Sequence, residues 1–504
     1  MSRRSLLAIP IAVFAIALAA LLLRGSGESK LPLPRQQAVR AARANPAIHK
    51  QLAANGWNRV RVGALDSRLA RVTFFDGPRI RAVAAVDARG RAEHTHVYAP
   101  GAPLYGSRLS DAPWLLGLLA LGFVLALGTL PLLRLRNLDV LALLSLTIPI
   151  LAGDRQLFEL SVLSGYVPLA YLCWRFVQRV VGGAPATVAR PLFELPNPRA
   201  LGYGIGAAAA LLAIVAISSP GAIDVGFAST AGATLLLHGT LPYGHMPPDV
   251  LHGDTYPLLN YVLYVPAAAV APVRDAFDDT SSAVLVAFAA ALVVAVALRK
   301  TGSRAVLAWL CFPPLAVAVA SGTNDLLLAA ALALALVMAA RGGRAAVALT
   351  AGAWIKLAPL ALLPIWLTRT RGKPLVRALG AVAGLSAALT AWILVLGGPA
   401  GIGHMLHALS FQLNRGTLQS AWALLGLGPA QQIAQAATIA LVAWGTVNAR
   451  RIAADPARLA ALSGAVLAAL QLSASNWSYL YVVWLFPCAA MALIADRAEV
   501  TARR

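Results

Sequence analysis

Acidic side chains are scarce: 20 Asp and Glu stand among 504 residues, against 42 Lys and Arg, and all charged residues together make up 12%. That deficit excludes an ordinary soluble domain, in which about a quarter of the residues are charged. Cysteine is nearly absent. Cys173, Cys311 and Cys488 all fall in apolar blocks, which excludes a disulfide framework and a cysteine metal site. No long internal repeat is evident, which counts against transporter folds built from two halves.

Apolar residues fill the space that charge leaves. They make up 59% of the chain and raise its mean hydropathy to +0.71. They come in blocks of about 15–22, each suited to about 30 Å of hydrocarbon, separated by short Arg-rich or Gly/Pro-rich joints. The net charge of +22 sits in these joints, where the positive-inside bias and anionic head groups account for it, so membrane lipids are expected partners and nucleic acid is not. The fold class expected is an all-α polytopic membrane protein. Met1-Ser-Arg-Arg and the apolar run Leu6–Leu23 read as a retained signal anchor over 1–23, since no small-x-small cleavage site follows.

Residues 24–112 are the one long polar stretch. An Ala-rich helical pattern over 35–55 precedes alternating segments at 59–65, 69–75 and 80–98, with turn signals at Asp76-Gly77-Pro78 and Asp87-Ala-Arg-Gly90. A small extracytoplasmic α+β domain is expected, one helix followed by an antiparallel sheet, and it resembles PepSY-type domains. A three-span accessory region and linker over 113–199 leads to a transmembrane module over 200–504. Within it, 219–280 and 397–429 read as outer loops, the first containing a broken segment at 258–273 with Pro257, Pro266 and Pro272. Residues 344–368 read as a short hairpin around Lys356. Placing the Arg joints inside gives about fourteen crossings, with both termini cytoplasmic, in the plasma membrane.

The unusual polar residues then share one face. Asp224 follows the 200–218 span; Gly239-Thr-Leu-Pro-Tyr243 and Tyr256-Pro-Leu-Leu follow in the first loop. Gly322-Thr-Asn-Asp325 opens a span, and Ile355-Lys356-Leu-Ala-Pro359 lies in the hairpin. In this order the motifs resemble the GT-C polyprenyl-phosphate-sugar transferases, in particular the GT87-type, mannosyltransferase-like group, over roughly residues 200–490. The chain departs from that pattern at Tyr256-Pro-Leu258, where many relatives have a second Pro, and at Thr323-Asn324, where many have Gln before Asn.

The resemblance implies transfer of a hexose or pentose, mannose among them, from a polyprenyl-phosphate-linked donor to a lipid or glycan acceptor on the extracytoplasmic face, with no cofactor. Such transfer needs a base for the acceptor hydroxyl and cations for the leaving phosphate. Asp224 matches the essential acid and is the candidate base, its rival role a cap for Val225-Gly226. Asp325 either orients the acceptor, holds a cation, or caps its helix. Lys356, costly in an apolar setting, either binds the lipid phosphate or snorkels; Arg274 and Arg415 are further phosphate candidates. Tyr243, Tyr256, Asn324, Asn414, Gln419 and Trp477 are candidate substrate contacts, Trp477 alternatively part of an interfacial aromatic belt. His238, His245 and His252 match no metal-ligand spacing and predict no metal site. A transporter or lipid flippase is the competing function. A nucleotide-sugar enzyme is disfavoured because no Gly-rich phosphate loop is present.

Overall fold

A computed structural model describes residues 31–494, apart from 65–67, 77–78, 98–108, 110–111, 156, 183–189, 195–197, 220–221, 247–252, 274–279 and 415–418. The signal anchor at 1–23, both termini, His252, Arg274 and Arg415 therefore lie outside the described residues, and so does the side chain of Asn414.

The polar stretch folds as two helices, α1 (Arg35–Ala44) and α2 (Pro46–Asn55), on four strands: β1 (Arg59–Ala64), β2 (Leu69–Asp76), β3 (Arg79–Asp87) and β4 (Ala92–Val97). The strands pair antiparallel in sequence order. The single helix expected over 35–55 is divided at Asn45-Pro46. Proline is favoured at the first position of a new helix, and the Asn45 side chain caps that helix by accepting from the Ala47 and Ile48 N–H groups at 3.1 and 3.4 Å. The turn at Asp87 forms as its sequence predicts: Asp87 Oδ1 accepts from the Arg89 and Arg91 N–H groups, and Gly90 takes the positive φ of 76° that the turn requires. Ala38 and Ala42 of α1 and Ile48 and Leu52 of α2 share a core with Val72, Phe74, Ala84 and Val86 of the sheet.

The chain is otherwise mostly helical. After the sheet come α3 (Pro113–Leu127), α4 (Leu135–Ser145), α5 (Thr147–Asp154), α6 (Phe158–Gly182), α7 (Pro198–Ile217), α8 (Asp224–Leu237), α9 (Leu258–Val270), α10 (Ser281–Leu298), α11 (Ser303–Leu310) and α12 (Pro313–Ala320). They are followed by α13 (Asp325–Val337), α14 (Gly342–Ile355), α15 (Leu363–Thr368), α16 (Lys373–Asn414), α17 (Ala421–Leu425), α18 (Gly428–Ile452), α19 (Pro456–Ser473) and α20 (Leu485–Ala489). Among the described residues six helical segments are long and apolar enough to cross a membrane: Leu135–Gly153, Glu159–Gly182, Arg199–Ile217, Ser281–Leu298, Lys373–Gln412 and Pro456–Ser473. The pair α11–α12, bent by 53°, makes a seventh if it is one span.

Several blocks that read as uniform are broken or short. Phe312-Pro313 bends the 305–320 block, and 477–495 enters as a 3-10 turn over Tyr479–Trp484; the 344–368 segment breaks at Lys356, where its sequence reads as a hairpin, in extended backbone. Two segments expected as loops are helical instead. Within 219–280, α8 is buried from Gly226 to Thr234; its hydroxyls, which make the segment look polar, bond back to the helix, Ser229 to Val225 O, Thr230 to Gly226 O and Thr234 to Thr230 O. Within 397–429, α16 continues to Asn414 after a kink at Gly398, whose φ of 58° leaves helical geometry before Pro399 restarts it.

Among the described residues the sheet domain meets the helices at α6 and at α16. Arg59 and Arg61 reach Glu159 at the start of α6, at 2.6 and 3.0 Å, while Leu69 and Ala85 pack on Phe411 of α16. Burial lowers the Arg61 guanidinium from its ordinary value, an effect that Glu159 opposes.

Small residues let the helices approach closely. A Cβ on Gly464 of α19 would stand 2.7 Å from the Phe176 ring of α6, whereas one on Gly202 of α7 would meet nothing within 4 Å. Gly464→Val is expected to destabilise the protein by roughly 1–3 kcal/mol through overpacking, and Gly202→Ala to leave it unchanged or slightly more stable. Unfolding midpoints of the purified variants in detergent check this, and equal midpoints would refute the close α6–α19 packing.

Candidate functional site

One backbone hydrogen bond brings two distant acids to the same place. The Ile223 N–H donates to Ser321 O at 2.9 Å, joining the residue before Asp224 to the turn before Asp325. The approach needs two glycines. A Cβ on Gly226 would lie 2.6 Å from Gly322 O, and Gly322, at φ +60°, would drive a Cβ to 2.7 Å from that of Ala222. The start of α8 thus lies against the start of α13.

Asp325 stands in the first turn of α13 and is 1% exposed. Its Oδ2 accepts from the Thr323 hydroxyl at 2.5 Å; its Oδ1 accepts from Trp484 Nε1 at 2.9 Å and from Lys356 Nζ at 2.5 Å. Asp325 and Lys356 thus form a buried ion pair. Asn324, the N-cap residue of α13, makes no side-chain cap bond.

Lys356 ends α14 with φ −145° and ψ 145°, and its side chain turns inward rather than snorkelling. It is 9% exposed, and its ammonium lies 4.8 Å from the Tyr481 ring centroid, 5.5 Å from that of Trp484 and 5.8 Å from that of Tyr256. Tyr481 and Trp484 stack at 4.4 Å. A carboxylate and three aromatic faces together offset the loss of water around the ammonium.

The pair borders a cavity of about 110 Å³ whose lining includes Asp224, Tyr256, Asp325, Lys356, Gln419 and Asn476. At ~10–15 Å³ per water it has room for several waters or a small polar group. Asp224 is exposed, in the first turn of α8, with Oδ1 accepting from the Val225 N–H at 2.8 Å. It therefore makes the cap contact while also facing the cavity. The accessory region reaches the same space through Gly153, Ser161 and Val162.

Tyr256 is held at the wall by its own loop. The Tyr243 hydroxyl donates to Tyr256 O at 3.1 Å, the Tyr256 N–H donates to the Tyr261 hydroxyl at 3.2 Å, and that hydroxyl donates to Gly253 O at 2.9 Å. Tyr243 is fully buried and does not line the cavity; burial pushes its phenol up from the ordinary value, and Asp254 adds to the shift. Asn324 likewise lies behind the site, donating to Asn260 Oδ1 at 2.8 Å, while Asn260 donates to Ser229 Oγ at 3.0 Å.

Trp477 borders the cavity but is 2% exposed, wedged on Gly165 with Nε1 donating to Gln471. It is neither an interfacial belt residue nor an open platform. His238 and His245 each bond a backbone carbonyl of their own segment, Thr234 O and Tyr243 O, and among the described residues no three His, Cys, Asp or Glu side chains gather as metal ligands. Tyr481 and Trp484 were not singled out in the sequence; four aromatics within 477–484, beside Asn476, are the signal that marks them.

No protein-family model, curated protein or solved structure matches the chain.

Removing either partner of the buried pair leaves an uncompensated charge. Lys356→Met and Asp325→Leu are each expected to cost roughly 3–5 kcal/mol of stability, and the variant carrying both distinctly less than the sum of the two. Chemical unfolding of the three variants measures the coupling; strictly additive losses would show two independent groups.

Proposed function

We propose that the protein is a glycosyltransferase of the GT-C type, with about fourteen crossings, that moves a sugar from a polyprenyl-phosphate donor to a lipid or glycan acceptor at the outer face of the membrane. The observation that carries this reading is convergence: Asp224, Tyr256, Asp325 and Lys356, drawn from four separate motifs of the resemblance, line one cavity.

In the reaction the acceptor hydroxyl gives its proton to Asp224 as its oxygen bonds to the anomeric carbon. The bond from that carbon to the phosphate oxygen breaks, and polyprenyl phosphate leaves with the electron pair. Lys356 spends one of its three N–H donors on Asp325, so two remain for phosphate oxygens, where the charge on the leaving group grows. Asp325 fixes the position of that ammonium in advance; it is a positioning residue rather than the base. In this reading Tyr256 and Gln419, which line the cavity, contact the sugar, and Arg274 and Arg415 remain candidate phosphate contacts.

A transporter or flippase favours polar groups at mid-bilayer in paired broken helices. Here the charged residues stand at helix ends, Asp224 and Asp325 in first turns and Lys356 at a C-terminus, which favours chemistry at one face.

Asp224→Asn retains size and an oxygen acceptor for the Val225 N–H, so insertion and the unfolding midpoint should stay within about 1 kcal/mol of the parent. Transfer from a purified polyprenyl-phosphate sugar should fall by about a hundredfold or more. Near-parental transfer would remove Asp224 as the base, and transport of the donor without transfer would replace the enzyme reading.

A further inference from the structure

The far ends of α13 and α14 make a second cleft of opposite electrostatic character. It is an open cavity of about 610 Å³ lined by Ala340, Arg341, Gly342, Gly343, Arg344, Pro374 and Arg377. A thirteen-residue helix rises about 20 Å, and the cleft stands at the opposite end of α13 from Asp325. Three arginines line it with no carboxylate among the lining residues, and from 326 to 454 the sequence contains no Asp or Glu. Among the described residues no ion pair engages Arg341, Arg344 or Arg377.

Backbone geometry adds to the charge. α14 begins at Gly342 with no side-chain cap, and α16 begins beside it at Lys373; a Cβ on Gly343 would stand 3.8 Å from Arg377. Two positive helix ends therefore meet at the cleft, and glycine at the first two positions of α14 leaves its N–H groups open to close approach. Beside the arginines the same two helices expose Val347, Val376 and Leu379, an apolar surface that a soluble anion would not use.

We propose that this cleft binds the phosphate head group of an anionic phospholipid, with the acyl chains along the exposed faces of α14 and α16. Arg341, Arg344 and Arg377 pair with the phosphate, and the first-turn N–H groups of Gly342 and Gly343 donate to it. The proposal is independent of the glycosyltransferase reading, since it uses none of the residues around Lys356.

The test uses the full chain in phosphatidylcholine nanodiscs carrying a minor fraction of phosphatidylglycerol. Lipid retained after detergent extraction is measured by mass spectrometry. R341Q/R344Q/R377Q should retain at least about tenfold less phosphatidylglycerol than the parent, and R344Q alone about fivefold less; the single variant decides the matter if the triple variant does not fold. R299Q/R304Q, at another basic joint, should match the parent, and inorganic phosphate should not displace the lipid. Three outcomes overturn the proposal: parental retention by R344Q or by the folded triple variant, an equal loss in R299Q/R304Q, which would mean general surface charge, or displacement by inorganic phosphate, which would mean a soluble anion.

Discussion

Inside an apolar bundle neither a carboxylate nor an ammonium is tolerable alone, and the meeting of Asp325 with Lys356 sets terms for everything around it. Each charge fixes the other's position, and Trp484, Thr323, Tyr256 and Tyr481 are needed to complete their surroundings. Those partners dictate local structure in turn. The chain must unwind at Lys356 to turn its side chain inward, and the 479–484 segment must run as a tight 3-10 turn to present its rings. Aromatic residues seated on glycines, Tyr479 on Gly153 and Trp477 on Gly165, anchor that segment to the accessory helices. The accessory region is therefore part of the wall rather than an appendage.

What the sequence reveals depends on whether a residue's partner is near in the chain. The sheet domain was legible, strands and the Asp87 turn included, because alternation and turn chemistry are local. The motifs around Asp224, Tyr256, Asp325 and Lys356 stood out because charged or polar residues are conspicuous in apolar text. Their mutual arrangement was not legible: Asp325 read equally well as a cap, and nothing local marked Lys356 as its partner. Helix α8 was hidden for a different reason. Its serine and threonines look like loop composition until their hydroxyls are seen bonding to the preceding turn. Tyr243, Asn324 and Trp477 have the chemistry of ligand contacts, but burial gives them bracing and packing roles.

The two clefts stand at opposite ends of α13 and α14 and differ in how they treat charge. Around Lys356 the positive charge is matched and buried; around Arg344 it is unmatched by any carboxylate of the described residues and exposed to whatever anion the surroundings supply. Buried charge placed by a counter-ion gives geometric precision, whereas exposed charge responds to salt and lipid composition. The small sheet domain belongs to the first end. It is pinned to α6 through Glu159, two residues from Ser161 in the cavity lining, and to α16 through Phe411.

The order in which the pair's components leave the ribosome carries a consequence for biogenesis. Lys356 follows Asp325 by 31 residues, on the two adjacent helices α13 and α14, whereas Trp484 follows Asp325 by 159. A nascent hairpin can thus present both charges to the lipid already neutralised by one another. At about 5–20 residues per second the indole arrives on the order of ten seconds later. During that interval the hairpin must persist on the ion pair and its packing alone, so insertion, and not only the stability of the finished protein, depends on the two charges being close in sequence.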